Sequence, residues 1–326
     1  MLQQTQVEAV IPFYRRFLDA FPTVGQLAAA RTERVLTLWS GLGYYRRARH
    51  LQAAARDIVT RFAGSFPRDY EAARSLPGVG DYTARAVLSI AYGLPYAVLD
   101  GNVARVLARL LTLEGHAHQP DFRRAVSREL DLVLSRRRPG DFNQALMELG
   151  QTICLPRNPL CTECPLNRWC EGHRQGRPEA YPFPRPRRAS ERTHLAVGVL
   201  RRNSTTAGTQ VAMVRGLDDG LLSDLWNFPS ALGPSAAEAR DRLQTKLATM
   251  LGSQPSIGPP LGDVRHGITY RSIEGRLYQV EGFRFAEPAP SRTPKTAGGE
   301  LRWFPLRSLK DSAVSQLAKK IALAIQ

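Results

Sequence analysis

All four cysteines of the chain fall within one short stretch, Cys154-x6-Cys161-x2-Cys164-x5-Cys170. Clustered thiols with none elsewhere suit metal ligation better than disulfides. Zinc sites usually combine two separated Cys-x2–4-Cys pairs, and only Cys161 and Cys164 are spaced that way. A compact loop offering four thiolates is what a [4Fe–4S] cube requires. Spacing by itself favours iron–sulfur and leaves zinc and plain structural cysteines open. A second group with chemical use is Leu76-Pro77-Gly78-Val79-Gly80. Two glycines around an apolar residue let a turn bring backbone N–H groups against a phosphate, helped by the dipole of a helix starting at Asp81; a plain turn between two helices is the alternative. A third is Asp100 in Val98-Leu99-Asp100-Gly101-Asn102-Val103, a carboxylate opening a helix and by default an N-cap.

These groups must be carried by helices. Apolar residues recur at helical spacing from Val7 to Leu18, Val35 to Leu42 and Leu51 to Phe62. Further helical stretches are Asp81–Tyr92, Asn102–Leu113, Phe122–Leu134 and Asn143–Ile153, separated by short Gly/Pro breaks. The spacing therefore predicts an all-α domain over 1–153, with the helix–turn–helix near 71–92 and the cysteine loop at 154–170. Residues 171–192, rich in proline and arginine, read as an extended basic linker. Beyond it the period drops to two at His194–Leu200, Gln210–Val214, Thr269–Ile273 and Arg276–Phe285, with helices at Ala236–Leu251 and Ser312–Ile325. A smaller α+β domain over 193–326 is expected.

The chain of 326 residues carries 45 Lys+Arg against 29 Asp+Glu, a net +16, of which +7 lies up to Cys170 and +9 beyond it. Positive charge spread along the whole chain suits a phosphate-rich partner, although an arginine-rich solvated surface would look the same. The longest nearly apolar run, Ala86 to Leu99, contains Gly93 and Pro95 and is too short to span a bilayer. No apolar leader is visible, so a soluble cytoplasmic protein, working on the nucleoid and away from membranes, is expected. All lysines (Lys246, Lys295, Lys310, Lys319, Lys320) lie late, so chemistry in the helical part must proceed without a lysine Schiff base.

The cysteine spacing at the end of an all-α domain resembles the endonuclease III superfamily of DNA glycosylases, and Leu76–Gly80 looks like its helix-hairpin-helix. The resemblance implies a [4Fe–4S] loop that is structural and DNA-contacting, where Arg157 and Arg168 would suit phosphates. It also implies that Leu76, Gly78 and Gly80 shape the DNA-binding hairpin. The form Leu99-Asp100-Gly101-Asn102-Val103 resembles the MutY-type adenine DNA glycosylases. Asp100 would then stabilise the oxocarbenium-like sugar cation as an N-glycosidic bond breaks, with Asn102 supporting it. Bifunctional members carry a lysine where Tyr82 stands here; tyrosine forms no imine, which argues for a monofunctional DNA N-glycosylase in which Tyr82 contacts the reacting nucleotide. Met1-Leu2-Gln3-Gln4-Thr5-Gln6-Val7 resembles the segment that fills the gap left by the extruded base, with Gln4 inserted and Thr5 near the opposing base. Trp39–Arg49 resembles the wedge, in which Leu42 and Tyr44 meet the duplex. Read without the resemblance, Tyr44 and Tyr45 are core aromatics.

The same resemblance places a general-acid glutamate two residues ahead of Met1. Glu8 lies about 900° of helix rotation further on and faces the opposite way, so it is no substitute, and the chain as written is expected to be crippled in excision. In the last domain, Leu221–Pro229 resembles the matching strand of MutY C-terminal domains, which share the Nudix fold. Residues 236–243 lack the glutamate pair that holds magnesium, so pyrophosphatase activity is not expected. The loop that checks for 8-oxoguanine corresponds to His266-Gly267-Ile268-Thr269-Tyr270, where Thr269 keeps the hydroxyl and Ile268 and Tyr270 depart from the pattern. The resemblance implies a monomer that removes adenine from A·8-oxoguanine or A·G mispairs in double-stranded DNA during base excision repair. The rivals are a DNA-binding homologue without catalysis and an endonuclease III-like glycosylase/AP lyase.

Overall fold

The computed structural model describes residues 1–3, 5–184, 190–205, 208–215, 225–268, 270–283, 295–296 and 299–326. Contacts group the chain into two compact units, 53–187 and 1–52 together with 188–326. Helices α1 (Val7–Ala20), α2 (Val24–Ala29), α3 (Thr32–Trp39) and α4 (Arg46–Arg61) come first. They are followed by α5 (Tyr70–Arg74), α6 (Asp81–Ile90), α7 (Gly101–Leu111), α8 (Pro120–Val133), α9 (Pro139–Thr152) and the single turn α10 (Glu171–Arg174). Their starts are local chemistry. Thr23 and Gln26 form a reciprocal capping box on α2, Asp69 accepts from the Ala72 amide at 2.8 Å, and prolines open α8 and α9 where a missing N–H costs nothing.

Within residues 53–187, α7 is the axis. Val103, Ala104, Val106, Leu107 and Ala108 are buried against Phe122, Val126 and Leu130 of α8, Leu146 of α9 and Tyr181. Each buried valine, leucine or phenylalanine among them contributes about 1.5–3 kcal/mol relative to exposure. A smaller cluster of Ala73, Ala84 and Leu88, flanked by Phe66, Tyr70 and Tyr92, holds α5 to α6. The segment from 171, expected to be extended, instead begins with α10 and continues into a 3-10 turn at Pro178–Ala180. The reason is packing: Gly172 lies against the Arg109 carbonyl, the buried Tyr181 offers its own carbonyl to Arg109, and the Phe183 amide bonds to Gly115.

In the other unit, Phe17 of α1 meets Phe21 and Trp39 edge-on, at centroid distances of 5.0 and 5.9 Å. Its C-terminal part holds β1 (Glu191–Val199), β2 (Arg201–Ser204), β3 (Gly208–Arg215), β4 (Ser230–Gly233), α11 (Ala236–Leu251), β5 (Ser256–Ile268), β6 (Arg271–Glu281), β7 (Lys295–Thr296), β8 (Gly299–Pro305) and α12 (Gln316–Ala324). Among the described residues two four-stranded sheets result, ordered β4-β1-β6-β5 and β2-β3-β8-β7, with β1 and β6 parallel. Leu195, Val197 and Val199 of β1 pack with α12, while Ala196 faces Ala239, Leu243 and Leu247 of α11. The fold is thus an all-α domain with a cysteine loop, followed by an α+β domain. The two strands expected around residues 269–285 are a single strand, β6, because nine residues of it pair continuously with β1. Strand β5 escapes a period-two search because Pro259, Pro260 and two register shifts interrupt it.

Candidate active site

Asp100 is placed by the turn between α6 and α7. The fully buried Asn143 of α9 donates to Ser89 Oγ (2.9 Å) and the Tyr96 carbonyl (2.8 Å), and its Oδ1 accepts from the Val98 amide at 3.1 Å. The chain therefore enters α7 in a fixed direction. Asp100 is its N-cap: Oδ1 accepts from the Val103 amide at 2.7 Å, while Oδ2 accepts from Asn102 Nδ2 at 3.4 Å. Arg105 holds Asn102 in that orientation. Its guanidinium only donates, so it must meet Asn102 Oδ1, which it does at 2.9 Å, leaving the amide nitrogen for Asp100. The same guanidinium donates to the carbonyls of Gly150 (2.6 Å) and Cys154 (2.8 Å). Helix α9 comes this close because position 150 is glycine: a Cβ there would lie 2.6 Å from Asn102 Cβ. Tyr82, in the first turn of α6, gives its hydroxyl to Met147 Sδ at 3.5 Å. Burial and then the nearby Asp100 charge raise its pKa, so it remains a neutral phenol. A carboxylate with one oxygen committed to a helix cap, an amide and a phenol thus gather in one place.

The cysteines follow directly. Cys154 lies just past α9, Cys161 and Cys164 flank a 3-10 turn, and Cys170 caps α10. All four are free thiols and line one pocket together with Val106, Leu110, Leu149 and Ile153. Among the described residues no three or more His, Cys, Asp or Glu converge closely enough to share a single metal ion. Four thiols around an apolar-walled cavity fit a multi-atom iron–sulfur cube. Buried Arg109, one turn after Arg105, carries the loop: it donates to the carbonyls of Leu155 (2.6 Å) and Pro156 (3.0 Å) and approaches Cys154 Sγ at 3.4 Å. Sequence reading passed over Arg105, Arg109, Asn143 and Gly150. A visible signal existed for two of them: arginines four residues apart on the otherwise apolar helix following Asp100.

The hairpin joins α5 to α6. Gly78 adopts φ +75°, a conformation that side chains resist, and a Cβ on Gly80 would meet open space, leaving room above the α6 N-terminus. Leu76 is buried, so its side chain roots the turn and only its backbone is available to a phosphate. Tyr70 of α5 donates to Asp81 at the start of α6 and ties the two helices together, while Arg85 donates to the same carboxylate from one turn further along α6.

In the other unit, Leu42 is buried, whereas Tyr44 is 51% exposed at φ +49°. Tyr45 is the core aromatic of the pair, its hydroxyl accepting from the Gly41 amide at 3.1 Å. Thr5 Oγ1 accepts from Arg47 at 2.9 Å. Gln4 and Thr269 lie outside the described residues. His266 has its pKa lowered by burial and then by Lys320, so it stays neutral more readily than a free imidazole. His116 packs edge-on against Phe183 at a centroid distance of 5.6 Å.

Residues 1–131 match the model of the HhH-GPD superfamily of base excision DNA repair proteins, and residues 154–170 match the iron–sulfur binding domain of endonuclease III. Hairpin, acidic helix cap and cysteine loop thus define a base-excision DNA glycosylase of the [4Fe–4S] type, in which Cys154, Cys161, Cys164 and Cys170 are the residues that would hold the cluster. Among solved structures, a thermostable thymine-DNA glycosylase is 26% identical over 53% of this chain and 80% of that one, with a TM-score of 0.49. The adenine DNA glycosylase of Rattus norvegicus is 37% identical over 98% of this chain and 69% of its own length. That of Homo sapiens is 34% identical over 98% of this chain and 66% of its own length. The chain belongs to the adenine DNA glycosylase family of DNA repair enzymes.

Proposed function

We propose that this chain removes adenine from A·8-oxoguanine and A·G mispairs in duplex DNA by hydrolysis alone, acting as a monomer. The observation that carries this reading is the Asp100 carboxylate with Asn102 and Tyr82 around it. As the N-glycosidic bond breaks, positive charge develops on the deoxyribose, and a fixed carboxylate stabilises it without reorganisation. Asp100 is held on one oxygen by the Val103 amide and on the other by Asn102. Tyr82, neutral and half-buried, borders the sugar and the leaving base but cannot form an imine, so the product is an abasic site rather than a nicked strand. The acid that protonates the adenine is assigned to the glutamate that the family places ahead of Met1. When bound, the iron–sulfur cluster organises the loop 154–170; bond cleavage belongs to the residues around Asp100. Gln4 fills the gap with Thr5 near the opposing base, and Tyr44 meets the duplex while the adenine is extruded, since unstacking a base costs a few kcal/mol that side chains must offset.

The test is single-turnover excision on duplexes holding A·8-oxoguanine, A·G or A·T, comparing the chain beginning at Met1 with one extended to carry a glutamate two residues ahead of it. Release of free adenine from the two mispairs, with strands intact until alkali is added, supports the reading. Ready borohydride trapping of a covalent protein–DNA adduct would sink the monofunctional assignment.

A further inference from the structure

Arg47, in the first turn of α4, touches both stretches that the proposed function sends into the duplex. One terminal nitrogen of its guanidinium donates to the carbonyls of Met1 (2.6 Å) and Gln3; the other donates to Thr5 Oγ1 (2.9 Å) and, more weakly, to the Gly43 carbonyl (3.3 Å). Its carbon centre lies 5.5 Å from the Trp39 ring and 5.4 Å from the Tyr44 ring. Trp39 itself donates to the Gly43 carbonyl at 3.0 Å, so one carbonyl of the turn is gripped twice. The turn also has a fixed backing: Ser40 Oγ donates to the Val314 carbonyl at 3.3 Å.

Three features show that this arrangement holds something under load. Tyr44 is not glycine yet sits at φ +49°, a conformation that costs a non-glycine residue about 1–3 kcal/mol unless its surroundings impose it. Its ring is half exposed, against the usual preference of an aromatic for cover. Arg47 Nε is buried without a hydrogen-bond partner, a penalty accepted to bring the two terminal nitrogens to their acceptors. A planar fork with donors on two sides can serve two segments at once, which a lysine ammonium on a flexible stem does poorly.

We propose that Arg47 is a positioning residue that locks Met1, Gln3 and Thr5 to the Gly41–Tyr44 turn as one body, so that gap filling and wedging occur as a single concerted step. If each insertion had to find its place alone, the unstacked intermediate would be held by half the contacts. Locking them removes that state from the path. The inference rests on the reading that the segment carrying Thr5 and the turn carrying Tyr44 engage the duplex.

The experiment compares the holoenzyme with Arg47→Met, Arg47→Lys, Tyr44→Ala, Thr5→Val and the double variant Arg47→Met/Tyr44→Ala. Base extrusion is followed by the fluorescence of 2-aminopurine in the place of the target adenine, opposite 8-oxoguanine. Duplex affinity is measured by anisotropy, and integrity by thermal melting and the visible absorbance of the cluster. Arg47→Met is expected to slow extrusion about 10–100-fold, the range for a misplaced positioning group, with a much smaller change in affinity. The double variant should be no slower than the worse single by more than about twofold, since both act on one body. Arg47→Lys, which keeps the charge and loses the fork, should restore only part of the rate. Unchanged extrusion in Arg47→Met beside slowed Tyr44→Ala and Thr5→Val overturns the proposal, and so do effects that multiply in the double variant. If Tyr44→Ala and Thr5→Val extrude the base normally, the assignment of these segments to the duplex fails first and takes the proposal with it. Should Arg47→Met lose its cluster or melt early, Arg47→Lys decides: extrusion at the wild-type rate in a protein of unchanged melting refutes the clamp.

Discussion

Gly150→Ala is the perturbation whose consequences can be followed furthest through the structure. The new Cβ would lie 2.6 Å from Asn102 Cβ and 3.0 Å from the Asn102 carbonyl oxygen, where ordinary contact begins at 3.4 Å. Helices α7 and α9 must therefore separate by roughly 0.8 Å, or Asn102 must move by as much. Overpacking of this kind costs about 1–3 kcal/mol. For a unit of this size that corresponds to a melting point lower by about 2–12 °C. The effect on chemistry is separate. The Asn102–Asp100 hydrogen bond is already long at 3.4 Å, and Arg105 reaches both Asn102 and the Gly150 carbonyl, so any displacement is transmitted to the carboxylate. A shift near 1 Å at a positioning group costs up to about 10²-fold in rate, so single-turnover excision should fall about 10–100-fold with affinity for product duplex nearly unchanged. The measurement pairs quench-flow excision with differential scanning calorimetry. A lower melting point with an unchanged excision rate would refute the link from α9 packing to Asp100. No change in either would refute the close approach itself.

Asp100→Asn preserves a helix cap, because asparagine accepts from the same amide, but removes the charge; melting should hold while excision falls on the order of 10²–10³-fold, and a matching loss of stability would show that Asp100 is only a cap. Arg105→Met leaves the carbonyls of Gly150 and Cys154 without their donor, costing about 1–3 kcal/mol, and should both slow excision and speed bleaching of the cluster by a chelator. Bleaching at the wild-type rate would separate the cysteine loop from the site. Burial works against the Asp81 charge, but hydrogen bonds from Tyr70 and Arg85 outweigh it and leave its pKa below the ordinary carboxylate value. Its folded value being the lower one, the stabilisation is present above the unfolded value near ~4 and is lost as pH falls through the folded one. Asp81→Asn should thus melt earlier than wild type at neutral pH and converge with it in acid, as thermal scans across pH would reveal; a gap that persists or widens in acid contradicts the assignment.

What could be read along the chain was what is decided within a few residues of itself. Helical period marked α1, α6, α7, α8 and α11, and Asp100 announced its cap because it serves an amide only three residues on. The cysteines showed their use because ligand type and spacing are sequence properties. Short strands such as β2, β4 and β7 could not be seen this way, since runs of two to four residues acquire their identity only from a partner strand.

The same division holds within the site. Tyr44 and Tyr45 are chemically alike neighbours, and only the turn that gives Tyr44 its positive φ decides which ring is exposed and which is core. Arg47 finds Thr5 forty-two residues away, Arg105 finds Cys154 forty-nine residues away, and Asn143 reaches back forty-five residues to Val98. An arginine or asparagine carries no mark of its partner, because a hydrogen bond of a few ångströms depends on where two distant backbones are brought by their packing. The sequence by itself therefore determined the chemistry on offer: four thiolates, a capping carboxylate, a phenol in place of a lysine and a glycine hairpin. The tertiary structure alone decided which side chains hold that chemistry in register, since long-range contacts exist only once the apolar faces of α7, α8 and α9 have closed on one another.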